Sequence, residues 1–121
     1  MMPVGPATRV FLAAGATDMR KGVEGLSDLV RHHFQQDPLS GHLFVFSNKR
    51  KTRLKILYWD GSGLWVCAKR LEKGCFNWPS PEKPESPARR ILAQELTLLL
   101  SGLDLEAAQS RPWWRKEPGT D

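Results

Sequence analysis

Residues 43–78 restrict the fold of this chain more than any other stretch. Leu43–Phe46 is a continuous apolar run, Arg53–Trp59 and Leu64–Leu71 are β-rich, and Cys75–Trp78 is a fourth short segment. Asp60-Gly61-Ser62-Gly63 and Lys73-Gly74, both turn-forming sequences, separate the last three. A parallel crossover needs a dozen or more residues. These segments are therefore expected to pair as antiparallel hairpins.

The register follows from the turns. A turn at 60–63 sets Trp59 opposite Leu64, Leu57 opposite Val66, and Arg53 opposite Arg70. A two-residue loop at Lys73-Gly74 sets Leu71 opposite Phe76 and Lys69 opposite Trp78. Side chains alternate across a sheet. One face then collects Leu54, Ile56, Tyr58, Trp65, Cys67, Leu71, Phe76 and Trp78, and reads as core. The other collects Arg53, Lys55, Leu57, Trp59, Leu64, Val66, Arg70, Cys75 and Asn77, basic at one end and apolar at the other.

The flanking segments complete the plan. Arg9–Ala14 reads as a strand, and Thr17 or Asp18 offers an N-cap oxygen to a helix that starts within Met19–Val23. Val23, Leu26, Leu29, Val30 and Phe34 form its apolar stripe. Residues 79–87 are a proline-rich, extended linker. Ala88–Leu100 then reads as a second helix with Ile91, Leu92, Leu96, Leu99, Leu100 and Leu103 on one side, stopped near Gly102. The expected architecture is one α+β domain over residues 1–105, an antiparallel sheet of four to five strands with two helices packed on one face. Residues 106–121 are expected to form a polar tail.

Composition removes whole classes of function. At 121 residues the chain is too short for a multidomain enzyme. No apolar run approaches the roughly 18 residues of a membrane span, and the first residues lack a signal peptide's pattern. A cytoplasmic protein with no membrane partner is expected. Cys67 and Cys75 fall on opposite faces in the inferred register, about 16 Å apart, too far for a disulfide. With His32, His33 and His42 they match no common metal spacing. No metal or cofactor is expected.

Charge is the informative quantity. The chain has 18 Lys and Arg against 13 Asp and Glu, a net charge of +5. Between Lys49 and Lys73 stand eight basic residues (Lys49, Arg50, Lys51, Arg53, Lys55, Lys69, Arg70, Lys73) and two acidic ones, a net of +6, so the rest of the chain is at −1. The register brings Arg53, Lys55 and Arg70 together on the outward face. Clustered like charges repel unless an anion relieves them, and the phosphate of a nucleic acid is such an anion. Leu57 and Trp59 lie on the same face, where apolar and aromatic side chains pack on sugar or base. A merely solvated basic face and an acidic protein surface are the alternatives. Arg20-Lys21, close to a helix N-terminus, is a second basic pair suited to phosphate or to plain solvation.

Catalytic patterns are weak. Asp60 falls in a turn, Asp18 at a helix cap and Asp104-Leu105-Glu106 at a helix exit, each an ordinary structural place for a carboxylate. There is no Gly-x-Ser-x-Gly elbow and no phosphate-cradling loop leading into a helix. Trp113-Trp114, set among Arg111, Arg115 and Lys116, either fold back on the domain or anchor a partner.

Four blocks occur in order: Ala16-Thr17-Asp18-Met19-Arg20-Lys21-Gly22, Asp37–Phe46, Leu54–Gly61, and Lys69-Arg70-Leu71-Glu72-Lys73-Gly74 with Trp78-Pro79 beyond. With them the chain resembles the accessory TnpB proteins of the insertion-sequence-66 transposon family. The likeness runs from about Val10 to Pro79 and more faintly to Asp104. Asp18, Arg20, Lys21, Trp59, Asp60, Lys69 and Arg70 match motif positions. Cys75 stands where a basic residue is expected, and Glu82–Arg90 and the tail after Leu105 follow the pattern poorly. The resemblance implies a bacterial protein that supports transposition beside a separate transposase, and it carries over no catalytic residue.

The expectation is thus a non-enzymatic accessory factor that binds DNA, at transposon ends or non-specifically, through the basic hairpin and Arg20-Lys21. Trp113 and Trp114 are the candidate contacts to the transposase. A protein-only adaptor with no nucleic-acid contact is the alternative, and a homo-oligomer through Leu57, Leu64 and Val66 is allowed.

Overall fold

A computed structural model describes residues 5, 7–81 and 83–102. The expectations for Trp113, Trp114 and the rest of the tail lie outside them. The elements are β1 (Val10–Ala13), α1 (Val23–His32), β2 (Leu43–Ser47), β3 (Arg53–Trp59), β4 (Leu64–Arg70), β5 (Ala88–Ile91) and α2 (Ala93–Leu100). The strands form one sheet in the order β4-β3-β2-β1-β5, and the fold is α+β.

The β3–β4 hairpin keeps the register that its turn dictates, with Arg53 opposite Arg70, Leu57 opposite Val66 and Trp59 opposite Leu64. Asp60 organises the turn. Its Oδ1 accepts from the N–H groups of Ser62 and Gly63 at 2.8 and 2.9 Å and from the Ser62 hydroxyl. Gly61 supplies the positive φ of 101° that the reversal needs.

Two features of the sheet differ from the sequence expectation. β1 and β2 are parallel, with Val10 beside Leu43 and Leu12 beside Val45. The connection between them spans residues 14–42 and contains α1, which is ample for the crossover that a parallel pair requires. The helices also cover opposite faces rather than one. Leu96 and Leu99 of α2 pack with Val10, Leu12, Leu43, Val45, Leu54, Ile56 and Tyr58. Leu26 and Val30 of α1 pack with Ala13, Phe44, Phe46 and Leu57. The cause is β2, buried at every position: a strand apolar on both faces needs cover on both.

The second half of the chain departs further. Cys75–Trp78 does not continue the meander as a strand. The Phe76 N–H donates to the Lys51 carbonyl at 2.7 Å, and the Trp78 indole N–H donates to the Ala13 carbonyl at 2.9 Å. The segment thus crosses the end of the sheet and inserts Phe76 into the α2-side core at 1% exposure. Hairpinned onto β4, Phe76 would lie at a sheet margin; crossing the end buries it.

Ala88–Ile91, read as the first turn of a helix, is instead the edge strand β5, antiparallel to β1 with Phe11 opposite Arg90. Pairing satisfies the backbone groups that β1 would otherwise leave open. α2 is correspondingly shorter. It starts where the Glu95 carboxylate accepts from the Leu92 N–H at 2.9 Å. α1 starts at Val23, with Gly22 at its N-cap and no side-chain cap. Asp18, expected to cap it, instead accepts from the Arg20 N–H in a tight turn before the helix.

Phe76 lies outside every regular element yet fills the core, so Phe76→Ala should destabilise the fold by about 3–5 kcal/mol. Urea unfolding followed by tryptophan fluorescence measures it, and a loss well below 1 kcal/mol would show that the crossing segment is not part of the core.

Candidate nucleic-acid interface

The hairpin register builds the basic face directly. Arg53 and Arg70 are cross-strand neighbours, and Lys55 is two residues along from Arg53 on the same side. Met19, in the loop before α1, lies against them. Met19, Arg53, Leu54, Lys55, Ala68, Lys69 and Arg70 line an open groove of about 340 Å³. The Lys55 ammonium donates to the Lys21 carbonyl at 2.9 Å. That acceptor is neutral, so the bond positions the ammonium and leaves its charge in place.

Carboxylates touch this group only lightly. The Arg70 Nε meets the Glu72 carboxylate at 3.1 Å, with both side chains largely exposed, a pair that water and salt weaken. Among the described residues no carboxylate pairs with Arg53, Lys55, Lys49, Arg50, Lys69 or Lys73. Lys49 and Arg50 project from the exposed β2–β3 turn next to the start of β3.

The remaining candidates separate. Lys51, with a φ of 60°, turns inward. Its ammonium donates to the Ser47 hydroxyl at 3.0 Å and lies 5.2 Å from the centre of the Trp78 ring. Burial lowers its pKa, since an ammonium loses solvation there. Lys69 stands opposite Leu54, on the α2 side of the sheet, and donates to the Leu100 carbonyl at 2.6 Å, capping the end of α2. Leu57 is fully buried beneath α1 and is core. Leu64 and Val66 are half-buried against the same cluster. Trp59 is on the basic face but six residues from Arg53, about 20 Å along the strand.

Arg20 is engaged by Asp18, with Nη2 at 2.9 Å and Nε at 3.1 Å from its two carboxylate oxygens. The guanidinium holds the Asp18 carboxyl down at about 2, through the side-chain hydrogen bond first and the Arg20 N–H second. Lys21 is exposed just ahead of α1.

Asp60 is fully occupied. Besides its turn bonds, Oδ2 accepts from the Trp65 indole N–H at 2.6 Å. These bonds, the Trp65 one foremost, hold its carboxyl well below the usual aspartate range. Among the described residues no group of three or more His, Cys, Asp or Glu is placed to hold a metal ion. No described helix is long and apolar enough to cross a membrane.

A second basic position was missed in the sequence. Arg90 of β5 borders an open groove of about 330 Å³ with Phe11, Phe34 and Gln36. Phe11 is stacked on Phe44 at 5.5 Å and meets His42 edge-on at 5.9 Å. The clue lay in Ala88-Arg89-Arg90-Ile91 directly after Pro87, where a strand is as natural as a helix.

Residues 8–110 match the family model described as IS66 Orf2 like protein. The chain is 40% identical to the uncharacterized protein y4hO of Sinorhizobium fredii (strain NBRC 101917 / NGR234) over 115 residues, 95% of this chain and 96% of that one. It is 39% identical to the uncharacterized protein y4jC of the same organism over 111 residues, 90% of this chain and 92% of the other. No solved structure matches it significantly.

Asp18 and Asp60 give the acid behaviour of the fold a definite sign. Both folded-state pKa values are depressed, so their stabilisation is complete above the unfolded value of about 4. It is lost as pH falls, toward about 2 for Asp18 and lower still for Asp60. Asp60→Asn should therefore flatten the loss of stability between about pH 4 and 2, measured by urea midpoints across that range. An unchanged slope would show that Asp60 is not linked to folding.

Proposed function

The chain belongs to the IS66 Orf2-like family, proteins associated with transposition, and on that footing we propose that it is a non-enzymatic accessory factor that grips the DNA backbone and assists a separate transposase. The observation that carries this reading is the meeting of Arg53, Lys55 and Arg70 on one side of the β3–β4 hairpin, around a groove open to solvent. Holding Arg53 directly opposite Arg70 is unfavourable in isolation, and among the described residues the carboxylate that pairs with this group, Glu72, is exposed and easily displaced.

Lys49 and Arg50 are exposed in the turn that leads into β3, and the Lys21 carbonyl holds the Lys55 ammonium. Such a surface neutralises phosphates with release of counterions, whatever the sequence of the bases. The residues that turned elsewhere sharpen the assignment. Lys51 and Lys69 are occupied in holding Trp78 and α2, so the phosphate contacts are assigned to Arg53, Lys55, Arg70, Lys49 and Arg50.

Replacing Arg53, Lys55 and Arg70 together by Ser should weaken binding to duplex DNA and reduce the salt slope of log K by about three units, roughly one per lost phosphate contact. Fluorescence anisotropy between low and moderate salt measures it. Lys69→Ser should leave that slope unchanged. An unaltered slope in the triple variant, with the transposase still captured after nuclease treatment, would instead assign the face to an acidic protein surface.

A further inference from the structure

β4 forms one margin of the sheet, with no described strand beyond it. The two ends of the β3–β4 ladder define which of its backbone groups are used. The Asp60 N–H donates to the Gly63 carbonyl at one end, and the Leu71 N–H donates to the Thr52 carbonyl at the other. Opposed pairs in an antiparallel ladder alternate between bonded and non-bonded. Trp65, Cys67 and Lys69 therefore bond to β3, while the N–H and C=O groups of Leu64, Val66, Ala68 and Arg70 point to the open edge. The strand runs seven residues without proline or glycine, a template for a further strand.

The sequence of β4 complements itself. Laid antiparallel on a second β4 about Cys67, all seven residues pair, with Leu64 against Arg70, Trp65 against Lys69 and Val66 against Ala68. The cationic half meets the apolar half, and no cation faces another. A shift of two residues, the smallest that this bonding parity allows, leaves two residues of each strand unpaired.

Trp65 is prepared for such a contact. It is stacked on Tyr58 at 6.2 Å, tethered to Asp60, and still 52% exposed. An ordered aromatic ring is an effective interface anchor.

We infer that β4 pairs antiparallel with β4 of a second copy of this chain, about a two-fold axis at Cys67, joining two sheets into one of ten strands. Cys67 then meets its counterpart as a non-hydrogen-bonded pair with Cα atoms about 4.5 Å apart, inside the range of about 4.4–6.8 Å that a disulfide spans. The two Arg70 residues lie about 20 Å apart on one continuous face.

Oxidation of the full chain with copper phenanthroline, peptide mapping and sedimentation together test the pairing. Expected are a concentration-dependent dimer and a Cys67–Cys67 crosslink that survives Cys75→Ser and disappears in Cys67→Ser. Ala68→Pro removes an N–H that β3 does not use, so it should give a monomer with an unchanged circular dichroism spectrum. Should that variant misfold, the crosslink map of the unaltered chain decides alone. A monomer at every concentration, or a dimer crosslinked only through Cys75, overturns the inference.

Discussion

Everything in this fold answers to β2, a strand with no side open to water. Leu43 and Val45 on one side and Phe44 and Phe46 on the other are all fully buried. Burying both faces of a central strand forces a three-layer arrangement, because each face needs its own apolar cover. α1 supplies one cover with Leu26 and Val30, and α2 with Phe76 supplies the other. The crossover through α1 sets β1 parallel to β2, and the route from β4 across the end of the sheet delivers β5 to the far edge. Trp78 ties that route down through the Ala13 carbonyl.

The basic face is what this arrangement leaves open. α1 covers Leu57 but not the start of β3, where Arg53, Lys55 and Arg70 share a groove with Met19. Cations elsewhere in the same charged segment have structural partners: Lys51 lies against Trp78 and Ser47, and Lys69 at the end of α2. Charge density along the chain is therefore a coarse guide to an electrostatic site. Which cations act together depends on which face each strand position occupies and on what packs there.

Much of the hairpin was legible because its determinants are local. Asp60-Gly61-Ser62-Gly63 names its own turn, and the turn sets the partner of every residue from Arg53 to Arg70. Most of the apolar stripe of α1 was legible for the same reason, since Leu26 and Val30, with Phe34 just beyond the helix, are buried, whereas Val23 at its start is exposed. The start within Met19–Val23 was legible too, but its cap was not: Asp18 is a good capping residue, but here the Arg20 guanidinium and N–H occupy its carboxylate. Ala88–Ile91 misled because Ile91 continues the periodicity of Leu96 and Leu99 toward the same core from a strand.

The sequence by itself determined the hairpin, its register, most of the apolar stripe of α1, and the side of β3–β4 on which Arg53, Lys55 and Arg70 stand. Those features rest on interactions between residues close in the chain, where turn chemistry and side-chain alternation leave one solution. Only the tertiary structure decided that the helices lie on opposite faces, that Phe76 and Trp78 leave the sheet to close its end, and that Arg89-Arg90 ride on an edge strand. Those outcomes turn on which distant apolar surfaces remain uncovered once the hairpin has formed, a quantity that belongs to the assembled fold and to no single segment.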